Sequence, residues 1–247
     1  GRTVRNFPSM TLPTAATLYD VVDTTWPAAE KIACGPFTLR RGLGAGSRVS
    51  AATANAPANN DEIATAAKAM GEMGQPALFM MRDTDADLDA QLKNIGYLIK
   101  DPVTLYAAPT ATMTTTRPPH KTVFTAWPPL AAQVEIWALG GINAARLAVM
   151  DRAPMPKTTL LGRAHDKPAG TTYVGMSHGC AMLHALEIGS AFRRQGLAAN
   201  MTRAAAFWAA DNGADFLTLV TTKVNAGANA LYTSLGMTSV GQYHYRL

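Results

Sequence analysis

The residues most able to do chemistry lie in one stretch, Leu183-His-Ala-Leu-Glu-Ile-Gly-Ser-Ala-Phe-Arg-Arg-Gln-Gly-Leu-Ala198. An apolar strand pattern runs into a short loop holding Arg193, Arg194 and Gly196, and a helical pattern opens at Leu197. Glycine has no Cβ, so a ligand can approach the backbone at Gly196 closely. The first turn of a helix presents unpaired N–H groups and the positive end of its dipole. Together these features make an anion site suited to a diphosphate, with the two arginines adding charge beside it. A Walker loop is excluded because its Gly-Lys-Ser/Thr ending is missing, and the dinucleotide fingerprint needs its glycines in another register.

Other reactive side chains promise less. His165-Asp166 falls in a predicted hairpin turn, where both are solvated. His178 and Cys180 are close in sequence but lack a third ligand, so no metal is expected. Cys34 and Cys180 are the only cysteines and lie in different halves, which excludes a disulfide framework. Tyr243, His244 and Tyr245 alternate faces in the last predicted strand, where one can line a substrate pocket. Trp26 and Trp127 each precede a proline and are read as packing residues.

The elements that must position these residues fall into two similar series. In the first, a helix is predicted over Thr11–Val22, and a hairpin of Phe37–Arg41 with Arg48–Thr53 around the turn Gly42–Gly46. A helix over Glu62–Met73 follows the cap residues Asn59-Asn60-Asp61, then come a strand at Ala77–Met81, a helix at Leu88–Ile95 and a strand at Val103–Ala107. The Thr- and Pro-rich stretch from Pro109 to Pro119 reads as a connector. The second series has a strand at Val123–Ala126 and a helical region Leu130–Met150 broken at Gly140-Gly141. Strands at Thr158–Gly162 and Thr171–Ser177 are joined by a turn over His165–Gly170, and a third strand is Ala181–Ile188. The helix Leu197–Ala210 places Leu197, Met201, Ala205 and Trp208 on one face. A strand at Phe216–Thr222, a helix at Ala228–Leu235 and a strand at Ser239–Leu247 close the chain. Residues 85–97 can be laid over residues 225–237, which sets Asp85 on Asn225 and Leu92 on Tyr232.

Composition bounds the class. The 247 residues are 48% hydrophobic and 16% charged, which is globular rather than disordered. No apolar run is long enough to span a membrane and residues 1–10 do not resemble a signal peptide, so a soluble cytoplasmic protein is expected. Residues 1–115 carry ten Lys/Arg against eleven Asp/Glu, whereas residues 116–247 carry twelve against six. That asymmetry points the second half toward an anionic ligand. Basic residues interleaved with aromatics are missing, which argues against nucleic acid.

Arg193-Arg-Gln-Gly-Leu-Ala198 matches the R/Q-x-x-G-x-G/A loop of the GNAT acetyltransferases. Phe216–Thr222, Asn225, Ala230-Leu-Tyr-Thr-Ser-Leu-Gly-Met237 and the closing strand resemble that family's second motif in order and spacing. The resemblance covers Ala181 to Leu247. It implies an α+β fold of two GNAT-like halves with mixed, mostly antiparallel twisted sheets, a degenerate one at 1–112 and an acetyl-CoA-binding one at 113–247. The N-terminal half has no Arg-rich glycine loop before a helix and carries Leu92 in place of Tyr232, as expected of a half that has lost its cofactor site.

The implied activity is direct transfer of an acetyl group from acetyl-CoA to a primary amine of a small molecule or protein. A non-catalytic acyl-CoA-binding or regulatory protein is the alternative, and the oligomeric state, a homodimer included, is open. By the same resemblance, residues 193–198 (Arg193, Arg194, Gln195, Gly196, Leu197, Ala198) hold the diphosphate. The backbones of Leu186 and Ile188 bind the pantetheine arm, Asn225 contacts that arm, and Tyr232 protonates the thiolate. Met182 occupies the family's frequent carboxylate position, which leaves the base open. Strict alternation puts Met182, His184, Leu186 and Ile188 on one face and makes His184 the candidate; a bulge would offer Glu187 instead. Deprotonation through water or in solution is a third route.

Overall fold

The computed structural model describes residues 11–247. Helix α1 (Ala15–Thr25) begins after Pro13, where Thr14 Oγ1 accepts from the Thr17 amide. The start expected at Thr11 moves inward because a residue preceding proline is pushed out of the helical region. Strands β1 (Glu30–Cys34) and β2 (Phe37–Arg41) form a hairpin, and β2 pairs on its other side with β3 (Thr53–Ala54). This corrects the expected pairing of Phe37–Arg41 with Arg48–Thr53. Leu43, Gly44 and Gly46 all have positive φ, and Ser47–Val49 forms a turn of 3-10 helix that cannot join a ladder.

Helix α2 (Asn60–Glu72) has a reciprocal cap, with Asn59 Oδ1 accepting from the Glu62 amide and Glu62 Oε1 accepting from the Asn59 amide. Strand β4 (Phe79–Met81), helix α3 (Ala86–Asn94) and strand β5 (Ile99–Pro109) follow, then the single turn α4 (Thr110–Met113). The start of the expected connector is therefore ordered as strand end and helix. Strand β6 (Val123–Ala126) leads to helices α5 (Ala131–Leu139) and α6 (Ala144–Arg152), separated at Gly140-Gly141 as expected. Strands β7 (Lys157–Ala164) and β8 (Lys167–Ser177) meet at a two-residue turn, because His165 and Asp166 both take positive φ. Strand β9 (Cys180–Ile188), helix α7 (Leu197–Asp211), strand β10 (Phe216–Thr222), helix α8 (Ala226–Ser234) and strand β11 (Thr238–Arg246) complete the chain.

Eight strands form one sheet in the order β4-β11-β5-β10-β9-β8-β7-β6, and only β9 and β10 run parallel. Parallel neighbours need a crossover, which α7 supplies. The last strand of each series lies inside the other's territory: β5 sits between β10 and β11, and β11 between β4 and β5. Each of α3 and α8 is preceded by an outer strand of this quartet and followed by an inner one, so the echo of residues 85–97 in 225–237 is a spatial repeat. Helices α7 and α8 pack on one face through Met201, Ala205, Leu217, Leu219 and Tyr232. On the opposite face, α1 packs on Met182, Tyr243 and Tyr245, while Trp26, Trp137 and Tyr173 fill the core beside α5 and α6. No helix among the described residues is long and apolar enough to cross a membrane.

Candidate functional site

Strands β9 and β10 stay paired only from Cys180↔Phe216 to Leu183↔Leu219. Beyond that point β9 follows β8 and β10 follows β5, so the two part like an opening V. A cavity of about 700 Å³ fills the gap. Its walls are Leu186, Glu187 and Ile188 of β9, Val220 and Thr221 of β10, and Asn225, Ala228 and Tyr232 at α8. Its far end is the loop carrying Arg193, Arg194 and Gly196 with the first turn of α7 (Leu197, Ala198, Ala199).

That end is built to accept negative charge. Gly196 caps α7 in the left-handed conformation (φ +81°) and no side chain caps the helix, so its first amides remain available. A Cβ built at Gly196 would meet no heavy atom within 4 Å, which leaves the approach open. Arg194 lines the cavity. Arg193 also reaches it but turns back along β9, donating from Nε to the Ile188 carbonyl (3.2 Å) and lying 3.4 Å from Glu187 Oε1. The Gln195 side chain is directed elsewhere, with Oε1 3.2 Å from His165 Nε2.

A bulge decides which side chains face this cleft. Register shifts between Tyr173↔His184 and Thr171↔Glu187, so Ala185 and Leu186 together oppose Thr172, and Ala185 takes φ +54°. Strict alternation is thereby overturned. Cys180 and Met182 pack on the α1 side, whereas Leu186 and Ile188 turn to the α7 side. Glu187 borders the cavity against the end of α5; Gly140 makes room there, since a Cβ at that position would fall 2.3 Å from the Glu187 Cδ. Partial burial raises the Glu187 carboxyl above its ordinary pKa, against the opposing pull of Arg193.

His184 does not reach the cleft, which corrects its candidacy as base. It is buried, and its ring stacks on Trp26 at 5.1 Å. Thr25 Oγ1 donates to the Val21 carbonyl and lies 2.7 Å from His184 Nε2, so Nε2 carries the proton. Nδ1 then accepts from Arg48 Nη1 at 2.8 Å. Burial, with Arg48 adding to it, holds the imidazole pKa well below its usual value. Above about pH 6.5 the ring is neutral in folded and unfolded chains alike, and below it only the unfolded chain takes up the proton. Folding stability therefore falls as pH drops from 7 to 5, by up to about 1.4 kcal/mol per unit from this group. Urea unfolding of His184→Gln should show a shallower decline than the parent; parallel declines would refute the assignment.

Tyr232 is buried at the cavity wall, its ring 6.0 Å from that of Tyr106, and burial pushes its phenol up to about 12. Asn225 uses its side-chain oxygen to cap α8, accepting from the Ala228 amide at 3.1 Å, while still lining the cavity. Of the expected site residues, the cleft thus gathers Leu186, Glu187, Ile188, Arg193, Arg194, Gly196, Leu197, Ala198, Asn225 and Tyr232, but not the side chains of His184 or Gln195. Phe192, Val220, Thr221 and Ala228 also line it; Val220 and Thr221 belong to the strand of the second motif, but none of the four carries a reactive group that would mark it as a site residue. Among the described residues no cluster of three His, Cys, Asp or Glu could hold a metal.

Residues 127–237 match the model of the acetyltransferase (GNAT) family. No curated protein matches the chain in sequence. Among solved structures, a GCN5-related N-acetyltransferase from Kribbella flavida superposes with a TM-score of 0.72 at 20% identity, covering 94% of each chain. A functionally unknown conserved protein from Staphylococcus epidermidis gives 0.65 at 10% identity, over 88% of this chain and 92% of that one. A tandem GNAT protein from the clavulanic acid biosynthesis pathway gives 0.57 at 12% identity, over 98% and 89%. At these identities the likeness is one of fold. The family match spans the splayed strands, the open helix end and α8, so residues 127–237 form a GNAT-type acetyltransferase domain.

Proposed function

We propose that the half spanning 113–247 transfers an acetyl group from acetyl-CoA directly to a primary amine. One observation carries this reading: the cleft between β9 and β10 ends on the uncapped first turn of α7. A diphosphate suits that end, because several amides and the helix dipole converge there. The edge of β9 beyond Leu183 no longer pairs with β10, so an extended amide-bearing arm can lie along Leu186–Ile188 as an added strand.

The amine nitrogen attacks the thioester carbonyl, an N–C bond forms, and the C–S bond breaks. Glu187 takes the proton the amine must lose, and its raised pKa brings it closer to neutral. Tyr232 gives its phenolic proton to the departing sulfur, and exchange with solvent resets both groups. Glu187 also favours catalysis over a non-catalytic acyl-CoA carrier, since it supplies the carboxylate that Met182 does not.

The half spanning 1–112 is assigned no thioester of its own. Its counterpart of α7 is α2, where a capping box occupies the Asn59 and Glu62 amides and no arginine-bearing glycine loop precedes the helix, and Leu92 is fully buried where the other half has Tyr232. The test is calorimetry with acetyl-CoA and assay of thiol release with an amine panel. We expect binding, and amine-dependent release that Glu187→Gln lowers by about 10-fold or more while removing the acid limb of the rate profile. Binding without release from any amine would favour the carrier; no binding would overturn both readings.

A further inference from the structure

A second cavity, of about 220 Å³, adjoins the first, and Val220 and Thr221 line both. Its other walls come from both halves: Gly46 and Arg48, Arg146 of α6, Asp101 of β5, and Tyr243 and Tyr245 of β11. The two arginines are held without being neutralised. Arg48 donates to the neutral His184 ring and lies over Trp26, with Cζ 4.8 Å from the ring centroid. Arg146 lies against the turn that bears Arg48, because Gly46 lets it: a Cβ there would fall 2.8 Å from Arg146 Nη2. Neither guanidinium is ion-paired to a carboxylate among the described residues. The single carboxylate on the wall, Asp101, is exposed and lies 3.8 Å from Lys100. The Tyr245 hydroxyl is buried beside them with no partner among the described residues.

Two unneutralised guanidiniums lining one small cavity are unfavourable until an anion joins them, and planar guanidinium forks match carboxylate and phosphate geometry. The volume lies below that of ordinary drug-sized sites, so it suits a small ligand. We propose that this cavity is the acceptor pocket and that the acceptor is a small amine bearing an anionic group, gripped by Arg48 and Arg146, with its nitrogen toward Val220 and Thr221. The proposal rests on the first cavity being the thioester cleft. It gives the N-terminal half a task, because Arg48 comes from its glycine turn and is positioned by His184.

Three matched amines test it: 3-aminopropanoate, 2-aminoethyl phosphate and the neutral ethanolamine. We expect kcat/KM for at least one acidic amine to exceed that for ethanolamine by about 100-fold, the better arm telling carboxylate from phosphate. Arg146→Gln and, separately, Gly46→Val should bring that ratio below about 10-fold while the affinity for acetyl-CoA stays unchanged. Equal rates for all three amines, or a ratio that survives both substitutions, would overturn the proposal. Calorimetry of the two acidic amines with parent and Arg146→Gln protein in the absence of thioester keeps the outcomes separable. Loss of acetyl-CoA binding alone condemns the thioester cleft, whereas equal anion binding by parent and variant condemns the arginine pair.

Discussion

Gly196→Trp should abolish measurable binding of acetyl-CoA while leaving the fold intact. Gly196 holds φ +81° at the start of α7, and the direction a Cβ would take is free of protein atoms within 4 Å. A side chain can therefore leave the backbone there without displacing protein atoms, and an indole would occupy the approach to the first-turn amides. The left-handed conformation adds about 1–2 kcal/mol of strain for a non-glycine residue, a modest fraction of the stability of an ordinary domain. Affinity by contrast depends on close approach of a diphosphate to bare amides, which a bulky side chain prevents outright. A loss of at least about 100-fold is expected by calorimetry. Gly196→Ala separates the two effects, since it carries the same backbone strain with little bulk and should keep much of the affinity. Undiminished binding by the Trp variant would mean that the diphosphate lies elsewhere.

How legible this site was in the sequence depended on whether its signal was local. The loop from Arg193 to Ala198 and the α8 segment around Tyr232 are contiguous, so residue order alone placed them near strand and helix ends. The second half's strands and helices were likewise found within a few residues, because turn and cap chemistry is encoded nearby. The bulge in β9 was not readable, for it arises where Ala185, an unremarkable residue, takes φ +54° opposite Thr172. That one extra residue put Glu187 at the cleft and left His184 in the core. The pairing across Gly42–Gly46 is hidden for a related reason: a glycine turn reads as a hairpin, but here it leads into a 3-10 turn that delivers Arg48 to a pocket lined also by Arg146. Nor could the exchange of β5 and β11 be foreseen, since strand partners distant in sequence leave no periodic trace.

Tyr232→Phe should lower kcat by about 100-fold or more while leaving the dissociation constant for acetyl-CoA unchanged. The ring is buried against Tyr106 in the core that α7 and α8 share with β10, so phenylalanine fills the same space and only the hydroxyl is lost. Burial pushes the phenol up to about 12, which keeps it protonated throughout the neutral range. A free thiol has a pKa near 8.5, so in water the proton would stay on the phenol. In the cleft the same desolvation acts on the departing thiolate and raises its demand for a proton, which narrows the gap as the C–S bond breaks. The hydroxyl thus contributes only as charge develops on sulfur, and a hundredfold loss corresponds to about 2.7 kcal/mol of transition-state stabilisation. Because the bound thioester carries no such charge, ground-state affinity should not move. A fall in affinity with kcat preserved would assign Tyr232 to binding, and an unchanged rate would remove it from the reaction. The reciprocal Leu92→Tyr, on the fully buried counterpart in the other half, should create no activity, because α2 there keeps its Asn59–Glu62 capping box and follows no arginine-bearing glycine loop.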